Sequence, residues 1–191
     1  MQSDYHGVEL RVTKRMTSKW QMLGGVTFQK HTGFNHNGTF TNPGASTDLN
    51  NPNYRLNRDD GSVFEELPWT FKLSGSYRLP YNMALAANYQ ARAGDPLERT
   101  LQLTGLPQGS ETVFVQQRGV DRTEAVKGLL DFRLSKQIVA GIWRVEPVFD
   151  IYNIFNSNPV LNQNTAIGPS LGVPTMILAP RVIRLSVKVN F

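Results

Sequence analysis

Histidines and small acidic clusters are the side chains of this sequence best suited to metal binding or acid/base chemistry. Of the three histidines, His31 and His36 together with Asp48 would form a surface metal site in a loop. No histidine pair has the i, i+4 or HExxH spacing of a helical zinc site, so solvated loop histidines are the simpler interpretation. We therefore expect neither a metal nor another cofactor.

Two acidic clusters are candidate sites for metal binding or acid/base chemistry. Asp59, Asp60 and Gly61 are similar to part of a calcium-binding loop, but the DxDxDG spacing and the closing glutamate are missing, which favours a plain turn. Glu65 and Glu66 are adjacent, and in an extended chain they would point to opposite faces. They do not form a paired general acid and base, so no catalytic residue is predicted and the protein is not expected to be an enzyme.

Most of the other charged residues alternate with apolar ones, which indicates strands with one polar face in contact with water. We predict that this face lines the lumen of a barrel, where its charges would tune selectivity or bond to a plug. An ordinary polar lining is the simpler alternative. The predicted lumen-facing residues are Arg11, Lys72, Arg78, Lys127, Asp131, Arg133, Glu146, Asp150, Arg184 and Lys188.

The C-terminal segment has the clearest alternation. Its apolar positions are Ile183, Leu185, Val187, Val189 and Phe191, and most of the residues between them are polar or charged. Strand side chains alternate with a period of two, so this segment is predicted to lie between an apolar and an aqueous phase. The same pattern recurs along the chain and predicts about seven antiparallel strands.

The connections between these strands alternate in length. Short links are expected at 16–19, 80–82 and 137–141, and long loops at 32–67, 94–123 and 156–176. Short turns at one end and long loops at the other are typical of an outer-membrane β-barrel, where the short turns face the periplasm. The predicted fold is therefore all-β, an antiparallel up-and-down transmembrane barrel segment of about 7 to 8 strands.

Tryptophans occur where strands begin. Trp20 and Trp143 open strands on the turn side and Trp69 opens one on the loop side. They are predicted to belong to the aromatic girdles at the membrane interfaces.

Composition limits the remaining choices. The 191 residues contain no cysteine, and the net charge of +5 is spread without a basic run, so nucleic-acid binding is not expected. No stretch matches a transmembrane helix, and the N-terminus has no apolar signal-peptide core.

Bacterial single-chain barrels have even strand numbers, so seven strands predict a truncated N-terminus. The alternative is an eight-stranded barrel with a further strand near 111–117.

Four segments, 5–30, 71–99, 149–158 and 181–191, resemble the last strands of TonB-dependent receptors, especially the Oar-like group that carries a carboxypeptidase-regulatory-like domain. The most specific matches are Tyr152, Asn153, Phe155 and Asn156, together with the aromatic C-terminus and the strand-turn-strand pattern around Lys14, Arg15 and Trp20. The resemblance implies a barrel of about 22 strands around a plug, and it implies that the barrel-assembly machinery reads the terminal strand from Ile183 to Phe191.

On this basis residues 1–191 are expected to form one C-terminal barrel domain in the bacterial outer membrane. The expected partners are lipid, the assembly machinery, the missing N-terminal barrel and plug, and an extracellular ligand of unknown type. A small self-contained barrel acting as structural protein or adhesin is one alternative. A soluble carbohydrate-binding β-sandwich that uses Tyr54 and Phe64 is another.

Overall fold

The fold is all-β along the part of the chain that the computed structural model describes, residues 3–33, 61–62, 66–107 and 109–191. No helix in these ranges is long and apolar enough to cross a membrane. The strands are β1 (Ser3–Thr17), β2 (Trp20–Gly33), β3 (Gly61–Ser62), β4 (Trp69–Leu79), β5 (Met83–Arg92), β6 (Pro96–Leu97), β7 (Thr100–Leu106), β8 (Gly109–Phe114), β9 (Asp121–Arg122), β10 (Val126–Lys136), β11 (Ile138–Ala140), β12 (Trp143–Tyr152), β13 (Val160–Gln163), β14 (Pro174–Ile177) and β15 (Val182–Asn190).

Seven long strands form the main sheet in the order β1-β2-β4-β5-β10-β12-β15. Every pairing is antiparallel and joins strands that follow one another along the chain once the small loop strands are set aside. The short strands β3 and β11 add to this sheet beside β2 and β12. This confirms the predicted antiparallel up-and-down architecture. Within the described residues the sheet is open, with β1 and β15 at its two edges.

The register sorts the side chains of the main sheet onto two faces. Leu10 lies opposite Val26, and Val26 lies opposite Phe71; this side is called the apolar face. One position along, Arg11 lies opposite Gly25, and Gly25 lies opposite Lys72; this side is called the polar face. Because a slip of one residue in any pair would move a whole strand's apolar set to the other side, the shared faces depend on this register.

The short connections lie together at one end of the sheet, called the turn end. Ser18 and Lys19 join β1 to β2 with φ of 50° and 73°, and Tyr81 and Asn82 join β4 to β5 with φ of 61° and 56°. Positive φ at both central residues matches the right-handed twist of paired strands. The third link differs from a simple turn, because residues 138–140 form β11 and pair with β12 before Gly141 turns the chain.

The connections from β5 to β10 and from β12 to β15 lie at the opposite end, called the loop end, and have their own small sheets. β6 pairs with β9, β7 with β8, and β13 with β14. The possible eighth barrel strand near 111–117 overlaps β8, which forms a hairpin with β7 apart from the main sheet. That alternative was wrong about location: the segment is a strand, but it belongs to a loop.

Burial in the main sheet is inverted relative to a soluble protein. Leu185 and Phe191 on the terminal strand are 77% and 91% exposed, whereas the most buried large side chain of the described chain is Asp150, at 1%. Water-soluble domains bury their apolar residues and rarely expose contiguous apolar patches. No second sheet packs on the apolar face within the described ranges, as a β-sandwich would require.

A bulge in β10 changes one predicted position. The pairing with β5 shifts register between Val126 and Leu129, and Gly128 has a φ of 79°. Val126 lies opposite Arg92 on the polar face and is buried. The alternation that assigned Lys127 to the polar face therefore breaks at this residue, because a bulge inserts an unpaired residue into the strand.

Candidate functional site

The polar face brings the predicted charges together across the strands. Apart from Lys127, the register places every residue of the predicted lumen-facing set on this face: Arg11, Lys72, Arg78, Asp131, Arg133, Glu146, Asp150, Arg184 and Lys188. That this face lines a lumen stays a prediction.

Asp150 is the centre of a three-strand ion cluster on that face. It lies directly opposite Arg133 of β10 on one side and Arg184 of β15 on the other. Arg133 Nε donates to Asp150 Oδ1 at 2.6 Å, and Arg184 donates to Oδ2 from Nη2 at 2.7 Å and from Nε at 3.0 Å. A buried carboxylate must be paired and hydrogen-bonded to be tolerated, and this one is held by two guanidinium groups.

The cluster binds three neighbouring strands together through their side chains. Both carboxylate oxygens of Asp150 accept hydrogen bonds from the guanidinium groups of the adjacent strands. Nearby, Lys188 and Glu146 form a looser pair at 3.9 Å on the same two terminal strands. The two pairs join β12 to β15 through side chains as well as through the backbone ladder.

The other residues considered for chemistry have structural contacts or lie outside the described ranges. The His31 ring packs edge-on against Tyr5 with centroids 5.6 Å apart, and His36, Asp48, Asp59, Asp60 and Glu65 fall outside the described part, as do the loop aromatics Tyr54 and Phe64. Gly61 begins β3. Among the described residues no three histidine, cysteine or acidic side chains form a group that would hold a metal.

Glu66 and Arg122 fasten two long connections together at the loop end. Glu66 is 5% exposed, its carboxylate pairs with the Arg122 guanidinium, and its backbone oxygen accepts a second bond from Arg122 at 2.9 Å. Arg122 also donates to Gly94 O at 3.3 Å. Sequence reasoning missed this pair, because 56 residues separate its members and neither belongs to a recognisable motif.

Asn153 anchors the loop that follows β12. Its backbone N–H donates to Asp131 at 3.0 Å, and its side-chain nitrogen donates to the carbonyls of Ser157 and Ala179 at 2.8 and 2.9 Å. Asn153 and Asn156 both have positive φ, 53° and 51°, a conformation that asparagine adopts more readily than most residues. The local motif that carried the family resemblance therefore has a structural role here.

A cleft of about 850 Å³ opens between two of the long connections at the loop end. One wall consists of Arg92, residues 95–98, Arg118 and Thr123, and the other of residues 161–165 with Thr175 and Met176. A backbone bridge ties the two connections, since Thr100 N donates to Thr165 O at 3.1 Å and Ile167 N donates to Thr100 O at 2.7 Å. The volume lies within the range of small-ligand sites. We call this space the loop cleft.

Aromatic residues stand at both ends of the main sheet. Trp143 packs against Phe191 with ring centroids 5.3 Å apart, and Trp20 has the Lys14 ammonium 3.8 Å above its ring, both at the turn end. Trp69 lies opposite Phe28 near the loop end. Their membership of membrane girdles, and the role of the terminal strand as an assembly signal, stay predictions.

Comparison with known proteins gives structural neighbours only. No family model matches the chain, and no curated protein matches it. It is similar to Pseudomonas aeruginosa FpvA bound to heterologous pyoverdines, with a TM-score of 0.57 and 14% identity over 97% of this chain. It is also similar to the ferripyoverdine receptor of the outer membrane of P. aeruginosa bound to ferripyoverdine, with a TM-score of 0.56 and 13% identity over 97% of this chain.

The chain spans 19% of the length of each of these receptors. At this level of identity the similarity concerns the fold alone, because one fold serves many functions. The described chain therefore has the fold of one part of an outer-membrane receptor barrel.

Proposed function

We propose that this chain is the C-terminal barrel segment of a bacterial outer-membrane receptor of the TonB-dependent, Oar-like type. The observation that carries the proposal is the main sheet itself, whose continuous apolar face is exposed while charged residues occupy the other face. In lipid an exposed apolar face is stable, and a polar interior is typical of transmembrane barrels. The similarity to outer-membrane receptors supports the same fold.

The open edges of the sheet support a role as part of a larger wall. An unpaired strand edge in hydrocarbon costs several kcal/mol per polar group, so a membrane sheet must close. β1 and β15 provide the two edges that further strands of the same receptor would pair with. In this proposal the polar face meets the plug, and the segment itself catalyses no reaction.

Ligand capture is assigned to the loop end. The described connections from β5 to β10 and from β12 to β15 lie there, and together with Leu67 they line the loop cleft. Binding residues are often held in loops on a rigid scaffold, and here the Glu66 to Arg122 pair and the Thr100 bridge hold the loops to one another. The segment thus acts as barrel wall and as support for the capturing loops.

Fractionation of the producing bacterium tests the proposal. The gene product that contains this chain is expected in the outer-membrane fraction, with a mobility on SDS gels that changes on heating as folded barrels do. In-frame upstream sequence is expected to encode further barrel strands and a plug. Recovery in the soluble fraction would overturn the membrane assignment, and a stop codon directly before Met1 would contradict the receptor assignment.

A further inference from the structure

The charges that line the loop cleft compensate one another. Among the described lining residues the ionisable side chains are Arg92, Asp95, Glu98 and Arg118. Arg92 donates to both oxygens of Asp95, at 2.7 and 3.1 Å, and Arg118 lies 3.4 Å from Glu98. A site for an anionic ligand is expected to present unneutralised arginine or lysine. Two cations and two anions in pairs leave this lining with no net charge.

The remaining polar lining is dominated by amides and hydroxyls. Asn164 is engaged in its own loop, donating to Ser170 Oγ at 3.0 Å and accepting from the backbone N–H of Ala166 at 2.9 Å. Gln163, the last residue of β13, makes no side-chain hydrogen bond to any described residue. A primary amide offers donors and an acceptor together, so Gln163, which lines the cleft, has both available for a ligand.

Apolar side chains also contribute to the lining. They are Leu67, Leu97, Leu161 and Met176, and the described lining contains no aromatic ring. A sugar-binding cleft would be expected to offer an aromatic platform, whereas amide and aliphatic groups together match the polar backbone and the apolar side chains of a peptide. The lining is therefore suited to peptide groups and aliphatic side chains.

From these features we infer that the loop cleft binds an uncharged peptide, with Gln163 bonding to the peptide backbone. The inference rests on the proposed receptor function and specifies its ligand class. Charge compensation determines the selectivity, because a net charge on the ligand would be desolvated in the cleft without a free partner.

Binding is tested with the full gene product purified in detergent. The probes are capped pentapeptide libraries without charged residues, and matched libraries that contain one aspartate or one lysine. We expect the uncharged library to be retained at least about tenfold more strongly than either charged one.

A charge series at one position links the selectivity to the cleft. Gln163→Lys is expected to improve retention of the aspartate library by about five- to tenfold, and Gln163→Glu that of the lysine library by a similar factor. The matched controls are Gln102→Lys and Gln102→Glu, since Gln102 is an exposed glutamine of β7 outside the cleft lining. These controls are expected to leave the retention of all libraries unchanged.

The experiment distinguishes failure of the peptide-binding inference from failure of the proposed receptor function. Preferred retention of the aspartate or lysine library by the unmodified protein would overturn the inference. So would equal effects at Gln163 and Gln102, or retention of no library by protein recovered from the outer membrane. Absence of the protein from the outer-membrane fraction would instead overturn the proposed function.

Discussion

Single residues of the main sheet show an inverted pattern of burial, in which a charged side chain is buried and an apolar one is exposed. Asp150 is almost fully buried although it is charged, whereas Leu185 beside it in the ladder is exposed. The burial of Asp150 is tolerated because Arg133 and Arg184 surround it with charge-assisted hydrogen bonds. Those arginines remain 46% and 52% exposed, so the cluster is accessible from the polar face of the sheet.

Neutralising Asp150 should loosen the terminal strand. Asp150→Asn removes the shared counter-charge of both arginines, and we expect a loss of about 1 to 3 kcal/mol in unfolding free energy. This is less than for a fully buried pair, because water reaches the guanidinium groups. Urea titration of the detergent-folded gene product, followed by heat-modifiable gel mobility, measures the change.

The matched control is Glu146→Gln. Its partner Lys188 lies 3.9 Å away and the two side chains are 33% and 62% exposed, so a loss below about 0.5 kcal/mol is expected. Equal losses for the two variants would show that the cluster has no special stabilising role.

At the scale of elements, the loops depend on a few close backbone contacts. Asp95 N donates to Thr123 Oγ1 at 2.8 Å, and Thr123 N donates to Asp95 O at 2.9 Å. A Cβ added to Gly94 would lie 1.8 Å from the Thr123 carbonyl oxygen. The chain between β5 and β10 can therefore close on itself only with glycine at this position.

Gly94→Ala is expected to separate the two halves of that connection. Backbone must shift to admit the methyl group, which overpacks the site by about 1 to 3 kcal/mol and frees the segment that contains Arg99 and Arg118. Limited trypsin digestion of the folded protein should cleave this loop faster than in the unmodified protein.

Gly25→Ala provides the comparison, because its added Cβ meets its nearest neighbour, Leu10 O, at an ordinary 3.7 Å. Its trypsin pattern is expected to match that of the unmodified protein. Similar cleavage of the two variants would show that the contact at Thr123 does not hold the loop.

At the scale of the whole molecule, the two faces of the sheet must meet different surroundings. The apolar face runs without interruption from Val8 on β1 to Val189 on β15, and it is exposed at both edges. The polar face carries the charges, and the two described long connections lie at one end of the sheet. These three features together support a barrel wall in a membrane.

Placing a charge on each face in turn tests this arrangement. Leu185→Arg puts a guanidinium on the apolar face, which costs about 2 to 4 kcal/mol near the middle of a bilayer, so the amount of folded protein in the outer membrane is expected to fall. Ser186→Arg puts the same group on the polar face one residue along, and assembly is expected to remain near normal. Quantitative immunoblotting of outer-membrane fractions measures both, and equal assembly of the two variants would contradict a lipid-facing apolar side.

Local chemistry in the sequence was enough to predict the strands, the short turns and the positions of the long loops. Strand side chains alternate because of covalent geometry, and residues such as Ser18 or Asn82 mark turns through their own backbone preferences. The position of a β-bulge cannot be predicted in this way. The pairing of two strands, and not the composition of either one, decides where an extra unpaired residue is inserted. For that reason the alternation predicted a polar-face position for Lys127, whereas the register gives no partner for this residue.

Contacts between distant residues required the folded chain. Asp150 meets Arg133 and Arg184 across separations of 17 and 34 residues, and Glu66 meets Arg122 across 56. Nothing in the local pattern of either partner reveals the other, because register and loop path together determine which side chains become neighbours. The ion cluster, the contacts between the loops and the loop cleft are therefore properties of the tertiary structure. The amphipathic strands that support them can be predicted from the sequence alone.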